Sequence, residues 1–277
     1  MKIEKIINNN IISSFDEKNR EIIVMGRGLG FGRKQGEIID DAKIEKIFRM
    51  DSEVESERLQ SVLADIPIEH IQITDEIITY AKTIITKKLN KNIYITLTDH
   101  INFAIERFKQ GVNFNNALIW EIKKFYGPEY EVGKMALNII KERLGYELPS
   151  DEAASIAMHF VNAEFGTEMP NTIDITKLIQ NVLKIIKYNY QMELDEDSLN
   201  YERFITHLKF FAQRVITNRA NAGHDEEFHY MIKNQYNSDY KCAEKIRKYI
   251  ETEFNIQVPE EELIYLTVHL KRITSSN

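Results

Sequence analysis

The stretch YEVGKMALNIIKERLGYELPSDEAASIAMHFVNA, Tyr130 to Ala163, lies without a gap on YKCAEKIRKYIETEFNIQVPEEELIYLTVHLKRI, Tyr240 to Ile273, at an offset of 110. Tyr130/Tyr240, Ile140/Ile250, Pro149/Pro259, Glu152/Glu262 and His159/His269 coincide. Upstream, LTDHINFAIERF from Leu97 lies on FITHLKFFAQRV from Phe204 at an offset of 107, which sets His100 on His207, Phe103 on Phe210 and Arg107 on Arg214. The apolar residues take a helical period from about Asp65 onward. The last three-quarters of the chain therefore predict two copies of one all-α domain of about 105 residues each. They join near EMPNTID, where Pro170 and Asn171 make a natural boundary.

Of the seven histidines, His100, His159, His207 and His269 fall at corresponding places in the two copies. Each follows an apolar residue by three positions and precedes another by one, so at 100° per residue each imidazole sits at the edge of a buried stripe. Common ancestry alone can keep a packing histidine twice, so packing and chemistry both remain open. The spacing lacks H-E-x-x-H or paired carboxylates, which speaks against a metal centre. Asp99 beside His100 has Thr206 as its counterpart, so a shared His-Asp device is unsupported. His224 and His229, in GHDEEFH, read as ordinary loop or helix-end residues. No Ser or Cys stands in a nucleophile elbow, and the chain does not read as an enzyme. A half-exposed neutral imidazole can still receive a group, such as a phosphoryl.

Ahead of the repeat the pattern is different. KIEKII, IISSF, REIIVM and KIEKIFRM, separated by turn residues, predict four strands of a small antiparallel sheet within about 50 residues. So small a sheet has little core of its own, and dimerisation is expected. The third strand leads into the glycine loop in EIIVMGRGLGFGRKQG, Glu21 to Gly36, with glycine at 26, 28, 30 and 32. A Walker loop needs Lys-Ser/Thr after its last glycine, and a dinucleotide loop needs G-x-G-x-x-G before a helix; neither is present. Phe31 among Arg27, Arg33 and Lys34 is instead the mixture that stacks on looped-out bases and holds phosphates. A plain surface hairpin is the alternative. The run Asp51–Ser61, DSEVESERLQS, is charged, has no strong apolar stripe and reads as a linker.

The 277 residues carry a net charge of −7, which argues against a protein that coats nucleic acid without selectivity. Residues 1–36 are the exception, with seven Lys/Arg against four Asp/Glu. Cys242 is the sole cysteine, so no internal disulfide forms. The N-terminal MKIEKIINNN is unlike a signal peptide, and a reducing cytoplasm is the expected setting.

INNNIIS at Ile7–Ser13, VMGRGLGFGRKQGE at Val24–Glu37, LTDHINFAIERF, MHFVNAE and FITHLKFFAQR, in this order, resemble the BglG/SacY family of transcriptional antiterminators over essentially the whole chain. The resemblance implies a β-sheet RNA-binding module at residues 1–56, a linker at 57–64, and two homologous helical-bundle regulatory domains at 65–170 and 171–277. It further implies a homodimer that holds a hairpin of the nascent leader mRNA against an overlapping terminator. Carried onto this sequence, Phe31 stacks on a base, Arg27 and Lys5 contact phosphates or base edges, Asn8 and Asn10 supply amide readout, and Gly26, Gly28 and Gly30 allow close backbone approach. Turn formation is the competing role for Asn8 and Asn10. The same resemblance implies phosphorylation of His100 and His159 by a sugar-specific enzyme II permease, which inactivates, and of His207 and His269 by the phosphocarrier HPr, which activates. No cofactor or metal is expected. A DNA-binding activator built on the same regulatory domains would need a helix-turn-helix head, and residues 1–50 alternate with strand period instead.

Overall fold

The computed structural model describes residues 1–112, 114–219 and 226–275, so that His224 lies outside the described residues. The chain divides into two compact units, Met1–Gly166 and Thr167–Asn277.

In the first unit, β1 (Lys5–Asn8), β2 (Ile11–Phe15), β3 (Glu21–Met25) and β4 (Lys46–Phe48) form an antiparallel sheet in chain order. Alternation along the strands gives two apolar faces. Ile12, Ile22 and Val24 pack with Ile3, Leu29 and Ile39. On the opposite face Ile11, Ile23, Met25 and Phe48 pack against Leu59, Leu63, Ile68, Ile71 and Ile95.

Leu59 and Leu63 belong to a helix, α1 (Glu53–Asp65), which corrects the expectation that this charged run packs nowhere. Ser52 caps it, its side chain accepting from the Glu55 amide. The buried face follows helical spacing through Ser56, Leu59, Gln60 and Leu63. Half of that stripe is polar, which hid it from a hydrophobicity count. Glu21 satisfies both polar members, accepting from Ser56 Oγ at 2.9 Å and from Gln60 Nε2 at 3.0 Å. The small sheet, expected to have little core of its own, has one on one face, formed within residues 3–39, and borrows a second on the other face from helices of the same chain.

The unit continues with α2 (Ile68–Ile84), α3 (Ile93–Lys109), α4 (Ile119–Phe125), α5 (Gly127–Leu144) and α6 (Asp151–Phe165). Leu97, Ile101 and Ile105 of α3 meet Val132, Ala136 and Ile140 of α5 and Ile156 and Phe160 of α6 in one core. The second unit comprises α7 (Met169–Tyr190), α8 (Leu199–Ile216), α9 (Glu226–Gln235), α10 (Asn237–Phe254) and α11 (Glu260–Thr274). The duplication is visible in its punctuation. Gly145 at φ 76° ends α5, and its counterpart Asn255 at φ 54° ends α10 in the same left-handed conformation. The carbonyls of Pro149 and Pro259 then accept the amides of Glu152 and Glu262, at 3.0 and 3.1 Å, in the first turns of α6 and α11.

The break between the units falls at Gly166, which stops α6 at φ 60°. Pro170, expected at the boundary, instead sits in the first turn of α7, where a missing N–H costs nothing. Among the described residues no helix is long and apolar enough to cross a membrane.

Candidate functional site

The helical phase that places each histidine at a stripe edge brings the histidines together in pairs. His100 on α3 and His159 on α6 have ring centroids 4.7 Å apart. His207 on α8 and His269 on α11 stack at 3.9 Å. All four are half-buried. Burial, with His100 beside it, holds His159 well below the usual histidine pKa. Burial is also the first cause of the lowered value at His207, followed by the charges of Arg272 and Arg214. His269 is brought down to about 4 by burial, then by His207, Arg272 and Arg214. These three imidazoles are thus neutral at physiological pH and keep a lone pair for an electrophile. Tyr265 refines this at His207, its hydroxyl lying 2.9 Å from Nδ1 and 3.4 Å from the His207 carbonyl. A phenol that donates to that carbonyl accepts from Nδ1–H, and this tautomer leaves Nε2 unprotonated.

The depressed value at His269 has a consequence for acid stability. The unfolded chain takes up a proton near pH 6.5 that the folded chain refuses until about pH 4. Stability from this group is therefore fully present above about pH 6.5 and is lost as pH falls toward 4. The urea midpoint should drop less between pH 7 and 5 in His269→Gln than in the parent, and parallel drops would refute the assignment.

At the head, the glycine loop is built on the β1–β2 turn. The Asn8 side-chain oxygen accepts from the Asn10 amide at 2.8 Å, and the Asn10 side-chain oxygen accepts from the Gly28 amide at 2.9 Å. Asn8 Nδ2 donates to the carbonyls of Leu63 and Ala64 in α1, at 2.9 and 3.2 Å. Lys5 Nζ reaches Gln60 of α1 at 3.2 Å, and Arg27 lies 3.7 Å from Glu69 of α2. The turn-forming role weighed for Asn8 and Asn10 is thus observed. Glycine is needed at two positions for approach to the chain's own backbone: a Cβ at Gly26 would lie 2.0 Å from the Lys43 carbonyl oxygen, and one at Gly30 would lie 2.3 Å from that of Asn8. Gly28 faces open space but holds φ +69°. Phe31 is 72% exposed on this braced loop.

A basic, aromatic-tipped loop on a four-stranded sheet, followed by two copies of a histidine-paired bundle, matches two family descriptions. Residues 1–57 match the CAT RNA binding domain. Residues 75–163 and 180–273 match the PRD domain. The chain is 48% identical over 273 residues to the transcription antiterminator LicT of Bacillus subtilis (strain 168), covering 99% of each protein. It is 44% identical over 275 residues to the beta-glucoside operon antiterminator of Dickeya chrysanthemi, covering 99% of this chain and 97% of that one. The chain belongs to the BglG/SacY family of transcriptional antiterminators. Among solved structures it resembles the crystal structure of GlcT CAT-PRDI, with a TM-score of 0.52 and 32% identity over 59% of this chain and 97% of that one.

In this antiterminator each histidine pair adjoins a cation-carboxylate pair that inspection of the histidines alone missed. Arg107 of α3 holds Glu152 of α6, whose other oxygen lies 3.3 Å from His100 Nε2. Arg214 of α8 grips Glu262 of α11 through two hydrogen bonds of 2.7 Å. The signal was present, because both residues superpose in the repeat. What the alignment lacked was the knowledge that Arg and Glu from different helices meet. The loop yields a stability contrast as well. Gly26→Ala should lower the unfolding free energy by about 1–3 kcal/mol through overpacking against a backbone carbonyl, whereas Phe31→Ala should leave the thermal midpoint unchanged.

Proposed function

We propose that the antiterminator grips a hairpin of a nascent leader mRNA through residues 1–56, acting as a dimer, and is switched by phosphorylation of His100 and His159 in one regulatory domain and His207 and His269 in the other. The observation that carries this reading is the pairing of half-buried imidazoles in the same setting in both copies. In the transfer, an unprotonated ring nitrogen forms an N–P bond as the donor's bond to phosphorus breaks. A proton leaves the ring's other nitrogen, and the departing donor group takes one up from solvent. The donors in this reading are a sugar-specific enzyme II permease for the first pair and the phosphocarrier HPr for the second. The name of the Dickeya relative points to β-glucosides as the sugars.

On the RNA side, Phe31 stacks on an unpaired base, and Arg27 and Lys5 engage phosphates or base edges. Asn8, Asn10, Gly26, Gly28 and Gly30 shape the loop and offer backbone and amide contacts. Lys5, Asn8 and Arg27 are bonded to α1 and α2 in the unit described above. Their release from these helices supplies a direct route from the regulatory domain to RNA affinity. Fluorescence anisotropy of the full chain with a panel of structured leader RNAs and with duplex DNA tests the reading. Selective binding of one hairpin is expected, and a preference for duplex DNA would replace the reading with that of a DNA-binding activator. Phe31→Ala should weaken the hairpin complex by about 1–3 kcal/mol; unchanged affinity would remove Phe31 from the interface.

A further inference from the structure

We propose that Arg203, Lys271 and Arg272 form an anion clamp for a phosphoryl group on His207 or His269, and that the absence of its counterpart in the first copy makes the two copies answer the same modification oppositely. The proposal rests on the reading of these histidines as phosphoryl acceptors.

An open cavity of about 420 Å³ is lined by His207 and His269 together with Arg203, Lys271 and Arg272. The three cations project from α8 and α11 as exposed residues. The repeat offsets that superpose the histidines place Thr96 opposite Arg203, Val161 opposite Lys271 and Asn162 opposite Arg272. An arginine-glutamate pair is common to the two sites: Arg214 is tied to Glu262 in one, Arg107 to Glu152 in the other. The copies differ further in that Asp99 adjoins His100 where Thr206 adjoins His207. Glu152 also turns a carboxylate oxygen toward His100 Nε2 at 3.3 Å. A phosphoryl carries about −1.5 to −2 charges and three acceptor oxygens. On the second pair it meets guanidinium and ammonium donors that bind it in charge-assisted hydrogen bonds. On the first pair it meets the Glu152 carboxylate, already tied to Arg107, and neutral side chains at 96, 161 and 162 in place of the three cations, and repulsion drives the helices apart. Arg272 shares the cavity with both rings of the second pair, and its charge contributes to the lowered pKa of each.

The full chain phosphorylated with phosphoramidate, a small donor without a docking surface, provides the test by 31P NMR titration, with His→Ala variants assigning each resonance. The second-copy phosphoryl should lose its last proton about one pH unit below the first-copy phosphoryl. The triple variant Arg203→Gln, Lys271→Gln, Arg272→Gln changes only exposed side chains. It should raise the second-copy value to that of the first, and Asn162→Arg should lower the first-copy value. In a leader-reporter strain the triple variant should still be phosphorylated on the second copy yet lose antitermination. Equal titration of the two copies, or a triple variant that titrates like the parent, would overturn the clamp. Failure to form phosphohistidine in either copy would overturn the acceptor reading itself, and the clamp with it.

Discussion

With His100→Ala and His159→Ala together, antitermination should stay on in the absence of inducer; with His207→Ala and His269→Ala it should stay off even when inducer is present. The two pairs share one helical setting and the same adjoining Arg-Glu pair, so equal phenotypes would be the simplest outcome if the histidines were only inherited packing residues. Opposite phenotypes require that the copies answer loss of their acceptors with opposite signs. Alanine removes the acceptor without supplying charge, whereas Asp at 207 and 269 restores about one of the phosphoryl's two negative charges and should partly recover activity. A leader reporter in cells with an intact phosphotransferase system measures this. Allosteric coupling of about 1–3 kcal/mol corresponds to a roughly 5–150-fold change in RNA affinity. If both double variants behaved alike, the division into an inhibitory and an activating domain would fail.

The largest loss of stability should come from Arg214→Ala. Glu262 is 3% exposed, and Arg214 supplies both of its 2.7 Å hydrogen bonds. Removing the guanidinium leaves a carboxylate in a low-dielectric setting without its counter-charge, which costs about 3–5 kcal/mol. The double change Arg214→Met with Glu262→Leu removes the charge and its partner together, and it should cost far less than the single change. Arg107→Ala should act in the same way in the first unit, because Glu152 is 1% exposed. Urea unfolding of the single and double variants gives the comparison. A double variant as destabilised as Arg214→Ala would mean that packing of the arginine stem, and not charge compensation, sets the cost.

These effects differ in how far they could be foreseen. Strand alternation in residues 1–50, the helical period beyond Asp65 and the offsets of 107 and 110 are properties read along one dimension. They were enough to place a sheet before two related bundles, and to put His100, His159, His207 and His269 at matching edges of buried stripes. Left-handed stops such as Gly145 and the prolines Pro149 and Pro259 that precede α6 and α11 are equally local, and their positions in the structure follow from backbone conformation alone.

Contacts between distant segments are a different matter. The sequence by itself determined the class of each element and the phase of each histidine, because side-chain direction follows from residue spacing within a helix or strand. Only the tertiary structure decided that His207 stacks on His269, that Glu262 meets Arg214 and that three cations line the same cavity, since these depend on how α8 and α11 pack. The same holds for α1, whose polar stripe of Ser56 and Gln60 becomes a buried face only because Glu21, on a strand more than thirty residues earlier, is there to accept both hydrogen bonds. It holds also for Gly26 and Gly30, where the crowding atoms are carbonyl oxygens of Lys43 and Asn8, brought close by the fold and invisible in the glycine pattern.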